Sequence, residues 1–242
     1  MSDQGGTLYG LGVGPGDPGL LTLKALEILK RVPVIFAACS SKNDYSLALG
    51  VVSPHLPAET EVVRLPFPMT RDEEERSAAW EENGERILEV IGQGSDAAFI
   101  TIGDPLTYST FGYMVRTLIR MEPRVRIETV PGITAFQAAA ARLNMLLAED
   151  QEAVALVSGV SDLKKVKEAS DWADTTVILK PYRRFGDILG ALENGSPRPS
   201  LTLVSRVGLE GEEVVEDAWK LRGQGIDYLS LLLAKKTSPR TE

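Results

Sequence analysis

Cysteine and histidine are almost missing from this sequence, since Cys39 and His55 are the only residues of their kinds. A single cysteine excludes an intrachain disulfide, and the two counts exclude metal sites built from paired cysteines or paired histidines. Cys39 and His55 offer a nucleophile and a base in principle, but no accompanying motif supports that pairing. A lone cysteine at the end of an apolar strand is more often a small core residue.

Long apolar runs and an excess of positive charge are also absent. No apolar segment reaches the roughly 18 residues that a membrane-spanning helix requires, and the N-terminus lacks a basic segment followed by an apolar one. The formal net charge of −8 disfavours a nucleic-acid-binding surface, which usually needs a basic patch. These absences predict a cytoplasmic protein that binds neither membranes nor nucleic acids.

The 242 residues have an ordinary globular composition, with 43% apolar and 25% charged residues. Apolar strands alternate with helical patterns in the first half, which predicts an α/β fold with a mostly parallel sheet. Short and long connections mix in the second half and favour a mixed sheet there. Because Glu122-Pro123 breaks a helical pattern, we predict two α/β domains, residues 1–122 and 123–242. Ligand sites favour domain interfaces, so we place the active site in the cleft between them.

The segment Gly103-Asp104-Pro105 follows a predicted buried strand at Asp96–Ile102 and precedes a helical pattern. In open α/β sheets, ligands bind beyond the carboxyl ends of the strands, so the Asp104 carboxylate is placed where it can face a cavity. Gly103 permits close backbone approach, and Pro105 stiffens the turn. The alternative is that Asp104 only caps the turn or the helix.

A second glycine turn, Pro131-Gly132-Ile133-Thr134, follows a short predicted strand at Arg126–Val130 and also leads into a helical pattern. Thr134 either caps that helix or donates a hydrogen bond to a ligand. The two turns lie on either side of the predicted domain boundary, which is why we associate both with the cleft.

The segment Gly14–Gly19 fits the G-x-G-x-x-G pattern of dinucleotide-binding loops. That function needs an acidic residue about twenty positions later, at the end of the second strand. The strand predicted at Val34–Ala37 ends instead in Ala38-Cys39-Ser40-Ser41. We therefore do not predict a dinucleotide site, and a nicotinamide-dependent oxidoreductase is kept only as an alternative.

Asp17 and Pro18 instead indicate the start of a helix, because aspartate is a favoured N-cap and proline a favoured first helical residue. We predict a helix from Pro18 to about Arg31, with Leu20 and Leu23 facing inward. Asp17 is accordingly predicted to be structural.

Three motifs stand together in order and spacing. They are Tyr9-Gly10-Leu11-Gly12-Val13-Gly14-Pro15-Gly16-Asp17-Pro18, Ile102-Gly103-Asp104-Pro105-Leu106-Thr107-Tyr108-Ser109-Thr110-Phe111 and Thr129-Val130-Pro131-Gly132-Ile133-Thr134-Ala135. Together they resemble the tetrapyrrole methylase family, also called class III S-adenosylmethionine methyltransferases, from about Thr7 to Lys235. Within the family, Leu20–Ala25 and Tyr108–Phe111 are most similar to the C20-methyltransferases of cobalamin synthesis, which act on precorrin-2 or cobalt-factor II.

The resemblance implies two α/β domains, S-adenosylmethionine as the methyl donor in the cleft between them, a tetrapyrrole substrate and a homodimer. It implies no metal of the protein's own, because the positive sulfonium already activates the methyl group. The cofactor contacts that it implies are Gly103, Asp104, Pro105, Thr107, Tyr108, Thr134, Ala135 and Pro181. The Gly14–Asp17 loop is expected to lie toward the tetrapyrrole.

Given that resemblance, we expect three side chains to assist methyl transfer. Asp104 would orient ring N–H groups or accept a proton. Lys180, at a strand end, would hold a substrate carboxylate or polarise the macrocycle, and Tyr228, at the start of the last strand, would donate a hydrogen bond. The structural alternatives are a turn aspartate, a surface lysine and a tyrosine at the edge of the core. The candidates for binding substrate carboxylates are Arg71, Arg183 and Arg184.

Several alternatives stay open at this point. One alternative is a methylase that acts on uroporphyrinogen III or on a different carbon of the corrin ring. Another is a family member with a protein or RNA substrate. A third is a binding protein that transfers no methyl group. The substrate is either the cobalt-bearing or the metal-free tetrapyrrole, and we favour the cobalt form.

Overall fold

The computed structural model describes residues 5–40, 46–68, 70, 72–159, 162–195 and 197–236. The chain forms two compact units, Met1–Thr134 and Ala135–Glu242, each with its own sheet. The division falls later than the boundary predicted at residues 122–123. The reason is that the strand Arg126–Val130 pairs with the first strand of the chain and so belongs to the first unit.

The first unit is built on a parallel sheet. Its strands are β1 Thr7–Gly12, β2 Val34–Ser40, β3 Glu61–Phe67, β4 Ala97–Thr101 and β5 Arg126–Val130. They lie in the order β3-β2-β4-β1-β5, and all neighbouring pairs are parallel. The central strand β4 is buried along most of its length, as a strand covered on both faces should be. The prediction of a mostly parallel first sheet is confirmed.

Helices cover this sheet, and their packing positions the loops that connect them to the strands. They are α1 Leu23–Leu29, α2 Leu47–Val52, α3 Glu73–Gly92 and α4 Phe111–Met121. Phe111 begins α4 and is fully buried, together with Phe99 of β4 and Phe36 of β2. Gly10 of β1 makes room for it, because a Cβ atom there would lie 2.1 Å from the Phe111 ring. The start of α4 is therefore held against the middle of the sheet, directly after the Gly-Asp-Pro loop.

The helix predicted over residues 18–31 is wrong in its first part. Asp17 does act as a cap, as predicted, but it caps only one 3-10 turn, Pro18–Leu20. The chain is then extended, and Thr22 caps a separate helix, α1. This break rotates the helical face, so that Leu23, predicted to face inward, is 79% exposed.

The second unit contains a mixed sheet, which confirms the prediction for this half. Its strands are β6 Val154–Ser158, β7 Thr175–Leu179, β8 Ser200–Ser205, β9 Glu213–Val215 and β10 Ser230–Lys235, in the order β6-β7-β10-β8-β9. Only β6 and β7 pair in parallel among the described ladders of this sheet. Its helices are α5 Ala135–Leu143, α6 Leu163–Trp172 and α7 Phe185–Glu193.

Two kinds of feature are absent from the described parts of the chain. No helix there combines the length and apolar character needed to cross a bilayer. Nor do three or more histidine, cysteine, aspartate or glutamate side chains gather there in a way that suits a metal ion.

Candidate functional site

The loops that follow β1, β4 and β5 meet at one edge of the first sheet, and glycine makes this possible. A Cβ atom on Gly132 would lie 2.1 Å from the Gly103 carbonyl oxygen and 2.7 Å from the Gly12 Cα. A Cβ atom on Gly12 would lie 2.5 Å from the Gly132 backbone nitrogen. Side chains do not approach a backbone this closely, so the three segments pack backbone to backbone. The carboxyl edge of the sheet, where ligands bind in such folds, is a set of interlocked loops.

The G-x-G-x-x-G segment takes part in the same arrangement. The Gly103 N–H donates to the Gly14 carbonyl at 2.8 Å, and the Val13 N–H donates to the Thr101 carbonyl at 3.0 Å. Gly14 has a φ of +78°, in the region that favours glycine. The chain after β1 is therefore hydrogen-bonded directly to the loop after β4, and Gly14 serves this backbone pairing.

Cys39, considered above as a nucleophile, is buried at the end of β2. Its thiol lies 3.5 Å from the Leu65 carbonyl oxygen of the neighbouring strand. This environment fits the interpretation of a small core residue.

Asp104 is half-buried and joins the loop after β4 to the loop after β5. Its Oδ1 accepts hydrogen bonds from the Leu106 N–H at 2.9 Å and the Thr107 hydroxyl at 3.0 Å, while Oδ2 accepts one from the Gly132 N–H at 3.3 Å. Oδ1 is thus committed to its own loop. Oδ2 makes a single long bond, and a carboxylate oxygen can accept more than one. The structural role considered for Asp104 is present, and one of its oxygens retains capacity for a ligand.

The loop beyond Asp104 exposes two large side chains on a strained backbone. Leu106 is 63% exposed and Tyr108 is 51% exposed. Tyr108 has a φ of +49°, which costs a residue other than glycine about 1–2 kcal/mol. Such conformations persist where the surroundings fix them, and they concentrate at ligand-binding and active sites. The observed strain therefore marks this loop as a candidate binding site.

Gly103 and Thr134, two predicted cofactor contacts, are neighbours in space. Gly103 has a φ of +70°, and a Cβ atom built on it would meet only the Thr134 Cα, at 3.9 Å. Gly103 therefore presents an open face beside Thr134. The first unit brings together Gly103, Asp104, Thr107 and Thr134, and Ala135 follows as the first residue of α5.

Ser109 belongs to this loop and was missed by the sequence analysis. Its Oγ lies 3.0 Å from the Thr101 hydroxyl at the end of β4 and accepts a hydrogen bond from the Phe111 N–H at 3.2 Å. It thereby closes the loop between strand and helix. A serine directly before a helical pattern is a common capping signal, so this role could have been found from the sequence.

In the second unit, Lys180 and Pro181 follow β7 and pack against Gly159. A Cβ atom on Gly159 would lie 2.7 Å from the Pro181 Cα, and the Gly159 N–H donates to the Leu179 carbonyl at 2.6 Å. Lys180 has a φ of +56° and precedes the 3-10 turn Pro181–Arg183. Although much of Lys180 is exposed, partial burial disfavours its charged form and lowers the pKa of the ammonium group.

Tyr228 lies on a turn before the last strand, which corrects its predicted place at the start of that strand. The Asp227 carboxylate accepts a hydrogen bond from the Leu229 N–H at 2.6 Å and closes the turn, so β10 begins only at Ser230. Tyr228 is 52% exposed. Its phenol is therefore presented from a turn and not from a strand.

The register of the second sheet brings Tyr228 to the same end as Lys180. Leu231 of β10 pairs with Leu179 of β7, so the turn before β10 and the turn after β7 are adjacent. The ring of Tyr182, in the turn after β7, meets the ring of Tyr228 edge to face, with centroids 4.9 Å apart and planes at 66°. The sequence analysis did not single out Tyr182, because the contact depends on strand pairing.

The arginines proposed for substrate carboxylates have different surroundings. Arg71 lies outside the described residues. The Arg184 Nε lies 3.3 Å from the Asp187 carboxylate. Arg183 is exposed, with its guanidinium 5.5 Å from the centre of the Tyr182 ring. Of the two described arginines, Arg183 is the better placed to bind a carboxylate.

The chain matches the family model of the tetrapyrrole (corrin/porphyrin) methylases over residues 7–220. It is 32% identical to the cobalt-precorrin-2 C(20)-methyltransferase of Salmonella typhimurium, over 96% of this chain and 97% of that protein. It is 36% identical to a probable cobalt-precorrin-2 C(20)-methyltransferase of Methanocaldococcus jannaschii, over 95% of this chain and 96% of that protein.

A solved structure shares the fold. It is the uroporphyrin-III C-methyl transferase of Thermus thermophilus, complexed with S-adenyl homocysteine. The TM-score is 0.69 at 24% identity, and the match covers 96% of this chain and 98% of that one.

Proposed function

Because this chain belongs to the tetrapyrrole methylase family, we propose that it transfers a methyl group from S-adenosylmethionine to C20 of cobalt-precorrin-2. Two relatives with that named activity match it over nearly the full length of both proteins, which supports the cobalt-bearing form of the predicted substrate. The structural observation that carries the proposal is the open face of Gly103 beside Thr134, on a loop that Asp104 fixes. The family resemblance supports placing the methyl donor at this loop.

The residues present fit S-adenosylmethionine. The residues that would hold it, as the resemblance implies, are Gly103, Asp104, Pro105, Thr107, Tyr108, Thr134, Ala135 and Pro181. When bound, it supplies a methyl group on a positively charged sulfur, which needs no metal from the protein. The chain's own contribution is to fix the two reactants in line. Alignment of this kind contributes up to roughly 7–11 kcal/mol in favourable intramolecular cases.

Three side chains act on the tetrapyrrole in this proposal. Asp104 directs Oδ2 toward a ring N–H or accepts the proton that the substrate must release, while its Oδ1 keeps the loop closed. Lys180 binds a substrate carboxylate or polarises the macrocycle, and Tyr228 donates a hydrogen bond from its exposed phenol. Arg183 offers a further cation for the carboxylates of the substrate.

The proposal is tested by methyl transfer from labelled S-adenosylmethionine to cobalt-precorrin-2, with the position of the new methyl group assigned by NMR. We expect one methyl group per tetrapyrrole, on C20, and slower turnover of metal-free precorrin-2. Transfer to uroporphyrinogen III in place of cobalt-precorrin-2 would move the chain to another branch of the family. Binding of both ligands without transfer would make it a carrier, and uptake of NAD in their place would favour an oxidoreductase.

Replacing Lys180 by Met should lower kcat/KM for the tetrapyrrole by about 10- to 150-fold, since a hydrogen bond to a charged group is worth about 1.5–3 kcal/mol. The affinity for S-adenosylhomocysteine, measured by calorimetry, should stay unchanged. Lys164→Met is the matched control, because Lys164 lies on α6 with a side chain 79% exposed. Full activity of Lys180→Met would remove this lysine from the site.

The difference in stability between wild type and Lys180→Met should depend on pH. The folded state lowers the pKa of Lys180, so the unfolded chain holds this proton at a higher pH than the folded chain does. The cost of the partly buried charge is therefore complete below the lowered pKa of the folded state and disappears as pH rises toward the ordinary value of 10.5. Urea unfolding should find Lys180→Met at least as stable as wild type at pH 7, with the difference shrinking toward pH 10.5.

Two further properties belong to this proposal. The family resemblance supports a homodimer, which light scattering of the purified chain tests. A cytoplasmic location is likewise proposed, and cell fractionation tests it.

A further inference from the structure

The edge-to-face contact of Tyr182 with Tyr228 joins two turns that are distant in sequence. The ring centroids are 4.9 Å apart and the planes meet at 66°, which is a favourable arrangement of aromatic quadrupoles. Tyr182 is half-buried, whereas Tyr228 is 52% exposed. One ring is therefore embedded in the unit while the other projects from it. This asymmetry makes Tyr182 a support for the Tyr228 side chain.

The backbone on either side of Tyr228 is tightly held. The Ser230 hydroxyl donates to the Asp227 carbonyl at 2.7 Å, and the Ser205 and Ser230 hydroxyl oxygens, both on buried residues, lie 2.8 Å apart. The Arg206 N–H donates to the Leu229 carbonyl at 2.9 Å. These bonds fix the Cα of Tyr228 but leave its side-chain torsions to be set by what the ring touches.

Tyr182 is held equally well from its own side. It lies in the 3-10 turn Pro181–Arg183, directly after the left-handed residue Lys180. Pro181 is buried, and the absence of a side chain on Gly159 lets it pack there. The Arg183 guanidinium lies 5.5 Å from the centre of the Tyr182 ring. Tyr182 is thus a fixed surface against which the Tyr228 ring packs.

From these contacts we infer that Tyr182 is a positioning residue, which holds the Tyr228 phenol in the orientation that donates a hydrogen bond to the bound tetrapyrrole. This inference rests on the proposed function, in which Tyr228 touches the substrate. Tyr182 acts through its ring and not through its hydroxyl. It is not required for binding the methyl donor.

A double-mutant cycle tests the inference. Tyr182→Leu should lower kcat/KM for cobalt-precorrin-2 by about tenfold, the upper range of what an aromatic pair contributes. Tyr182→Phe keeps the ring and should restore nearly wild-type turnover. In a Tyr228→Phe background the phenol is already gone, so adding Tyr182→Leu should change kcat/KM less than about twofold. S-adenosylhomocysteine affinity should be equal in the wild type and all four variants.

The possible results distinguish failure of the positioning role of Tyr182 from failure of the proposed methyltransferase function. If Tyr182→Leu costs the same factor with and without the Tyr228 hydroxyl, Tyr182 does not act through Tyr228 and the inference is overturned while the methyltransferase proposal stands. If wild type transfers no methyl group, the proposed function fails. The contact is then judged by NMR of tyrosine-labelled protein without substrate. The Tyr228 ring signals should shift in Tyr182→Leu and stay in place in Tyr182→Phe, and unchanged signals in both would contradict the positioning role.

Discussion

Replacing Gly132 by Ala should destabilise the first unit by about 4 kcal/mol or more, which places it among the most damaging single substitutions. The added Cβ would lie 2.1 Å from the Gly103 carbonyl oxygen and 2.7 Å from the Gly12 Cα. Both neighbours are backbone atoms of adjacent strands or their loops, so neither can rotate away as a flexible side chain would. Relief requires β1, β4 and β5 to separate at the edge where the candidate site lies.

Chemical unfolding followed by circular dichroism measures this effect, with Gly112→Ala as the matched control. Gly112 lies in α4 with no atom within 4 Å of its hypothetical Cβ. Alanine there should raise stability by up to about 1 kcal/mol, because it restricts the unfolded chain and favours the helix. A Gly132→Ala protein as stable as wild type would show that the three loops do not pack as closely as described.

The contrast between these two glycines shows where sequence reasoning reaches its limit. The turn at Gly132 was recognisable from its place between a strand and a helical pattern. Its contact with Gly12 was not, because that contact exists only when β5 lies beside β1 and β1 beside β4. Local patterns give the elements, whereas strand order decides which glycines face each other.

The start of the first helices shows a different limit. The apolar spacing after Asp17 suits one continuous helix, and Asp17 is a genuine cap. Thr22 is also a cap, and its hydroxyl accepts a hydrogen bond from the Ala25 N–H at 3.2 Å. Asp17 caps only a 3-10 turn, whereas Thr22 caps the α-helix, so the α-helix begins later than the apolar spacing suggests. Leu23 is exposed because the later start of the helix changes which residues face inward.

The candidate site was predictable from sequence where a reactive side chain lies at the end of a predicted strand. Asp104 and Lys180 were expected at strand ends, and the structure places each just beyond its strand, Asp104 after β4 and Lys180 after β7. The strained backbones of Tyr108 and Lys180 carry no sequence signal, since tyrosine and lysine rarely adopt positive φ. The pairing of Tyr182 with Tyr228 likewise depends on the antiparallel register of β7 and β10.

Asp104→Asn should reduce kcat about 100- to 1000-fold if Oδ2 handles a substrate proton, but it should weaken S-adenosylhomocysteine binding only about 3- to 10-fold, as expected for one lost hydrogen bond. Asparagine keeps one oxygen, which can continue to accept from the Leu106 N–H and the Thr107 hydroxyl. Its amide nitrogen would replace Oδ2, and it can neither accept a proton nor accept the Gly132 N–H. The substitution therefore separates the catalytic oxygen from the structural one.

Thr107→Val is the partner variant, because it removes one bond to Oδ1 and leaves Oδ2 untouched. It should weaken S-adenosylhomocysteine binding about 3- to 10-fold, in line with about 1 kcal/mol for one hydrogen bond, and change kcat little. Calorimetry of ligand binding and single-turnover methyl transfer distinguish the two patterns. If Asp104→Asn weakens ligand binding as much as it slows transfer, the carboxylate acts only by closing its loop. The proton must then leave through another group, or directly to water.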